Sequence, residues 1–274
     1  MKTKFFALIS ALAIVGVSAP ALAMPMSDFS LPPKASQVAE NVFYLGEARD
    51  AETNSLVEGY AIIHYKKTKA KKNEARPRPG RTACYGFLSS GAKWKYVEPW
   101  VFNGTNSSGL SASLLFENFV PDVLKWEDAA DGVTGNAISK NILGDGVETG
   151  NTLVADTVSP DGVNEVYFGN IEDSNAIAVT IVWGVFGGPR RNRELVEWDM
   201  IFDEVDYDWS LSGAAGAMDF ENVATHELGH VFGLADLYNS SCADETMYGY
   251  ADNGEIKKRD LNSGDIAGIK ELYK

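Results

Sequence analysis

The chain has 274 residues, 45% of them hydrophobic, and a formal net charge of −14. Such a composition suits a globular protein, and the length leaves room for one domain of moderate size plus something small. The acid excess repels nucleic acid and anionic lipid and excludes both as partners, while favouring solubility and cation binding at clustered carboxylates.

Taken in chain order, Lys2 and Lys4 precede an apolar run from Phe5 to Val17, and Ala21-Leu22-Ala23 forms a small-residue cleavage site. Residues 1–23 therefore read as a signal peptide. The run is too short to span a bilayer, and no later run approaches that length. The expected mature form is a secreted, extracellular monomer without membrane association. Residues 24–65 contain two apolar-rich runs, Val42 to Ala48 and Leu56 to Tyr65, flanking the polar turn Arg49 to Asn54. This predicts a β-hairpin too small to hold a core alone, either a pro-segment or an accessory element. His64, in its second strand, reads as structural. Residues 66–83 form a linker in which Lys66 to Arg81 holds eight basic residues against one acidic, broken by Pro77, Pro79 and Gly80. It reads as a processing site, or as a solvated tether or an arm resting on the acidic domain.

From residue 84 onward the pattern is α+β. Strands are expected at Lys93 to Phe102, Glu165 to Phe168, Ala176 to Val185 and Arg193 to Phe202. A helix is expected from Ser111 to about Ala130, with Leu114, Leu115, Phe119, Val123, Leu124 and Trp126 apolar and Pro121 a kink point. After the Gly-rich stretch Ser212 to Gly216, a second helix is expected from Phe220, with Asp219 as N-cap.

That second helix carries His226-Glu227-Leu228-Gly229-His230-Val231-Phe232-Gly233-Leu234-Ala235-Asp236, or H-E-x-x-H-x-x-G-x-x-D. Residues four apart share a helix face, so the two imidazoles can converge on one metal ion. Glu227 stands where a carboxylate reaches a water at that ion. Gly233 can take the left-handed conformation that ends a helix and delivers Asp236 as third ligand. Three protein ligands with one position left open is the layout of a catalytic zinc site. The chain has only three histidines, and two of them are here.

These residues resemble the metzincin metalloproteases, whose longer signature is H-E-x-x-H-x-x-G-x-x-H followed by a Met-turn. Asp236 replaces the last histidine, as in the snapalysin-like secreted bacterial members. Glu245-Thr246-Met247-Tyr248-Gly249-Tyr250 resembles a Met-turn with Met247 as apolar floor, and Tyr directly after Met is similar to the matrixin branch. Leu261 to Tyr273 resembles the closing matrixin helix. By itself that segment is a short amphipathic helix, with a capping-box-like start at Asn262 and Asp265.

The resemblance implies a twisted mixed sheet, two long helices and a small C-terminal subdomain with Met-turn and closing helix. It also implies a zinc endopeptidase acting on proteins or peptides, with His226, His230 and Asp236 as zinc ligands and Glu227 as catalytic general base. The substrate is expected along the edge strand near Ala178 to Trp183, against a pocket wall from Tyr248 and Tyr250. Asp199 and Asp203 match acidic positions linked to Ca2+ in the family. No structural zinc is expected, because no histidine lies between His64 and His226 and Ile201 stands where a strand-borne ligand belongs. Cys84 and Cys242, the only cysteines, point to a disulfide in an exported protein. The rival is a free Cys84 occupying the zinc, as the thiolate of matrixin pro-segments does. The alternative function is an exported, non-catalytic binding or adhesion protein on the same fold. A latent zymogen held by its N-terminal segment is compatible with the enzyme reading.

Overall fold

The computed structural model describes residues 28–67 and 83–274. The signal peptide and most of the basic linker lie outside the described residues. Four strands come first: β1 (Asp28–Phe29), β2 (Ser36–Ala39), β3 (Val42–Arg49) and β4 (Leu56–Lys66). Next are β5 (Glu98–Asn103), α1 (Ala112–Ala129), β6 (Leu143–Glu148), β7 (Asn164–Ile171), β8 (Ala176–Val185) and β9 (Glu194–Asp203). The C-terminal third holds β10 (Trp209–Ser210), β11 (Met218–Asp219), α2 (Phe220–Val231), β12 (Tyr250–Ala251) and α3 (Ser263–Tyr273).

The main sheet runs β2-β3-β4-β8-β9-β7-β5-β6, with β1 added to β7 and β12 to β4. Strands β6, β5, β7 and β9 are mutually parallel, and β8, β4 and β3 continue the sheet antiparallel. This is the mixed α+β sheet that the residue pattern predicts.

Alternate residues of each strand feed two cores, because side chains of a strand point to opposite faces in turn. On one face, Ile62, Ala178, Val182, Met200 and Phe202 pack with the helices through Phe119, Trp126, Phe220, Val223 and Leu228. On the other, Val57, Ala61, Ile63, Val179, Ile181, Trp183 and Ile201 pack beneath Phe29, Leu153 and Ala155. Strand β8 is buried on both faces, so its sequence AIAVTIVWGV is nearly continuous in apolar residues. Ser111 caps α1 through its hydroxyl, and the helix runs on through Pro121 without ending. The surrounding packing of Phe119, Val123 and Trp126 outweighs the one lost N–H bond.

Several expectations need correction. The hairpin forms, but not as an appendage: β4 pairs with β8 from Glu58↔Gly184 to Tyr65↔Ala176. A domain limit at residue 84 therefore does not divide the sheet. For the same reason β8 is flanked on both sides and is no edge strand. The strand expected at Lys93 to Phe102 begins only at Glu98, and β6 had no counterpart in the sequence reading. Its segment LGDGVE lacks a run of apolar residues. Among the described residues no helix is long and apolar enough to cross a membrane.

Cys84 and Cys242 are joined in a disulfide across 158 positions. A free thiol at Cys84 is thereby set aside. The bond ties the start of the downstream segment to the loop after Asp236. Because it closes a long loop, replacing both cysteines by serine should cost about 5 kcal/mol by chain-entropy arguments. Urea unfolding of the double variant checks this.

Candidate metal centre

Helix α2 begins where the Asp219 side chain accepts the Asn222 N–H at 3.0 Å. Arg259 Nε donates to the same oxygen at 2.8 Å and pins the cap. The helix lies wholly inside the protein, with His226 and Glu227 fully buried and His230 1% exposed. After Phe232, Gly233 takes φ +101° and the chain turns back. A side chain there would also strike the Ala92 carbonyl.

The turn brings Asp236 under both imidazoles. Its Oδ1 lies 3.2 Å from His226 Nε2 and 3.5 Å from His230 Nε2. The far side of each ring is committed: His226 Nδ1 bonds the Thr246 carbonyl at 2.7 Å, and His230 Nδ1 the Leu234 carbonyl at 3.0 Å. A carbonyl only accepts, so each Nδ1 carries the proton and each Nε2 presents a lone pair. Tyr238 donates to Asp236 Oδ2 at 2.9 Å. Three buried acceptors, two Nε2 and one Oδ1, thus face one another without a hydrogen-bond partner. Such an arrangement is repulsive unless a cation joins it. Tetrahedral zinc with bonds near 2.0–2.1 Å would set its ligand atoms roughly 3.3 Å apart. The residues present fit that ion.

Burial holds the His226 imidazole down at about 3. With no metal bound, a proton takes the cation's place: Asp236 raises His230 against the pull of burial, and His230 in turn keeps the Asp236 carboxyl well below its usual range although burial works against its ionisation. Glu227 is pushed up to about 7 by burial. Its Oε2 accepts from Thr180 on β8 at 2.6 Å, and its Oε1 lies 2.8 Å from His64 Nδ1. His64 is 1% exposed and its ring centroid stands 4.0 Å from that of His226. Burial, aided by the nearby His226, keeps His64 neutral. His64, read from the sequence as structural, thus lies against Glu227 and His226. Its scarcity, one of three histidines, was the signal in the sequence. Nothing there linked it to Glu227, 163 positions away.

Met247 is fully buried against Gly229, where any Cβ would collide with its sulfur. The turn is held from α3. Asp265, third residue of that helix and part of its capping box, accepts the Thr246 N–H at 2.8 Å and the Met247 N–H at 3.1 Å. The capping box was legible in sequence; its second duty, aiming the Thr246 carbonyl at His226, was not. Lys258, fully buried, donates to the Tyr248 carbonyl and is lowered to about 8 by burial. Tyr248 is 6% exposed, and Tyr250 donates to Glu40 Oε1 at 2.8 Å.

The expected pair Asp199 and Asp203 is not brought together. They lie four residues apart along β9, and Asp203 is saturated by the N–H groups of Ile171, Val205 and Asp206. Asp199 instead joins Glu197 and Asp156, each with one buried oxygen lacking a partner. Burial raises Asp199 well above its usual range and Glu197 to about 9.

Fold and site together resemble a metzincin catalytic domain. Residues 168–274 match the family model described as matrixin. Metalloendoproteinase 2-MMP of Arabidopsis thaliana is 36% identical over 77 residues, covering 26% of this chain and 19% of that protein. Metalloendoproteinase 4-MMP of the same plant is 42% identical over 69 residues, covering 25% and 18%. Matrilysin of Homo sapiens is 39% identical over 75 residues, covering 27% and 26%. The matched stretches thus span no more than about a quarter of these relatives' own length. The likeness to matrixin catalytic domains is carried by residues 168–274.

Because Met247 occupies the space of a side chain at 229, Gly229→Ala should cost about 1–3 kcal/mol by overpacking. It should also weaken zinc binding, since it displaces the turn that fixes His226. Thermal melts and a zinc titration against a competing chelator check both.

Proposed function

We propose that this chain is a secreted zinc-dependent endopeptidase. The observation that carries the reading is the convergence of His226 Nε2, His230 Nε2 and Asp236 Oδ1 as buried, unpartnered acceptors beside the Glu227 carboxylate. Zinc held by these residues supplies Lewis acidity, polarising a scissile carbonyl and lowering the pKa of water. Glu227, held near neutrality by burial, has the basicity to take a proton from water as its oxygen bonds the carbonyl carbon. The same carboxyl then hands the proton to the leaving nitrogen as the C–N bond breaks, giving an acid and an amine. Thr180 orients the carboxylate through Oε2, and Oε1, beside His64 Nδ1, is the atom that moves the proton. Tyr248 and Tyr250, beyond the Met-turn, supply the wall of the pocket past the cut.

Glu227→Ala should retain zinc at one ion per chain and lose turnover of casein by about two to four orders of magnitude, the range of general acid–base catalysis. Metal analysis paired with a digestion assay checks this. Full activity in that variant would refute the mechanism.

Calcium is assigned to Asp156, Glu197 and Asp199, in place of the pair Asp199 and Asp203. One oxygen each of half-buried Asp156 and buried Glu197 and Asp199 lacks a partner, and a hard cation with oxygen ligands would replace the protons that burial favours there. Calcium at ~100 times its dissociation constant should stabilise by about 2.7 kcal/mol, or roughly 5–10 °C in melting temperature. Glu197→Gln should abolish most of that shift.

A further inference from the structure

Of the consecutive basic residues Lys257, Lys258 and Arg259, only Lys258 is fully buried. Its neighbours have carboxylate partners: Lys257 lies 3.8 Å from Glu255, and Arg259 pairs with Asp219 and Glu221. Among the described residues no carboxylate forms an ion pair with Lys258 Nζ. The negative groups that act on it have other duties: Glu255 pairs with Lys257, and Asp236 and Glu227 belong to the proposed metal centre. At about 8, Lys258 still carries its charge at neutral pH. An ammonium has three N–H donors, and the Tyr248 carbonyl takes one. A neutral donor would serve a carbonyl as well, so this bond does not account for a buried charge.

Two contacts set the place of the side chain. The Lys258 backbone N–H donates to Asn222 Oδ1 at 2.8 Å, and Asn222 stands one turn before His226 on the same face of α2. At the other end, Nζ reaches Tyr248, two residues past Thr246, whose carbonyl holds His226. The side chain thus runs from α2 to the stretch Tyr248–Tyr250, between the metal centre and the proposed wall of the pocket past the cut. In keeping with that place, the Lys258 charge follows burial as the second cause that holds the His226 imidazole down. Its burial is shared by His226 and Glu227, the groups a substrate must reach.

We propose that Lys258 forms the floor of the pocket past the cut and selects substrates with an Asp or Glu side chain on the amine side of the scissile bond. The inference rests on the endopeptidase reading and names its substrate class. A carboxylate entering there supplies the counter-ion that the ammonium lacks and accepts from its spare N–H groups. An aliphatic side chain would leave the ammonium buried and unpaired, and a basic one would add like charge.

The test uses the zinc-loaded full chain and internally quenched peptides that differ only in the residue after the cut: Glu, Gln, Leu or Lys. For the Glu peptide, kcat/KM should exceed that for Gln or Leu at least about 30-fold, with cleavage directly before Glu by mass spectrometry. Lys258→Met, which nearly keeps the side chain's shape and removes its charge, should reverse the order, the Leu peptide being cut faster than the Glu peptide. Lys258→Arg should keep the order. Equal rates for the Glu and Leu peptides, or a Glu preference that survives in Lys258→Met, would overturn the proposal; so would a Lys258→Met chain that slows all the peptides alike, the mark of a residue that only holds the Tyr248 carbonyl. The wild-type series decides by itself if Lys258→Met does not fold. Binding of the same peptides to zinc-loaded Glu227→Ala separates the two readings. If the wild type cuts none and this variant binds the Glu peptide at least about tenfold more tightly than the Leu peptide, the selectivity stands and the endopeptidase reading falls. If the wild type cuts none and the variant shows no such difference, the assignment of Lys258 falls as well.

Discussion

The structure turns on two hydrogen bonds that fix the protons of two buried imidazoles. The carbonyls of Thr246 and Leu234 hold Nδ1–H on His226 and His230, so both Nε2 lone pairs point at Asp236. Lone pairs buried face to face are unfavourable, and the fold sustains them because packing elsewhere is strong and a cation resolves them. The proposed metal centre rests on this constraint.

Each part of the scaffold serves that convergence. Asp219 and Arg259 fix the start of α2, Gly233 returns the chain, and the disulfide ties the loop that follows Asp236 to the start of the downstream segment. Asp265 connects the last helix to the Met-turn, and the Met-turn to His226. A residue at the third position of a helix thus controls a ring more than thirty positions earlier. Helix caps usually satisfy their own helix; here one carboxylate serves a cap and two N–H groups of the neighbouring turn.

The buried Glu227 joins two strands of the sheet. Its carboxylate has two oxygens, one bonded by the central strand β8 and the other by the N-terminal strand β4. Each contact fixes one oxygen. The sheet thereby links Glu227 to a segment outside the matrixin match.

Local signals determined much of this protein. The spacing of His226, Glu227, His230, Gly233 and Asp236 brings two imidazoles and a carboxylate together, because a helix face and a glycine turn are geometric consequences of neighbouring residues. Caps at Ser111, Asp219 and Asn262 and the apolar run of β8 were legible for the same reason. The tertiary structure alone decided which strand lies beside β8, that His64 meets Glu227, and that Asp199 sits with Glu197 and Asp156 instead of Asp203. These are pairings across long stretches of chain. A strand's sequence specifies which face is buried but not which strand lies beside it, so register and neighbour emerge only when the whole sheet assembles.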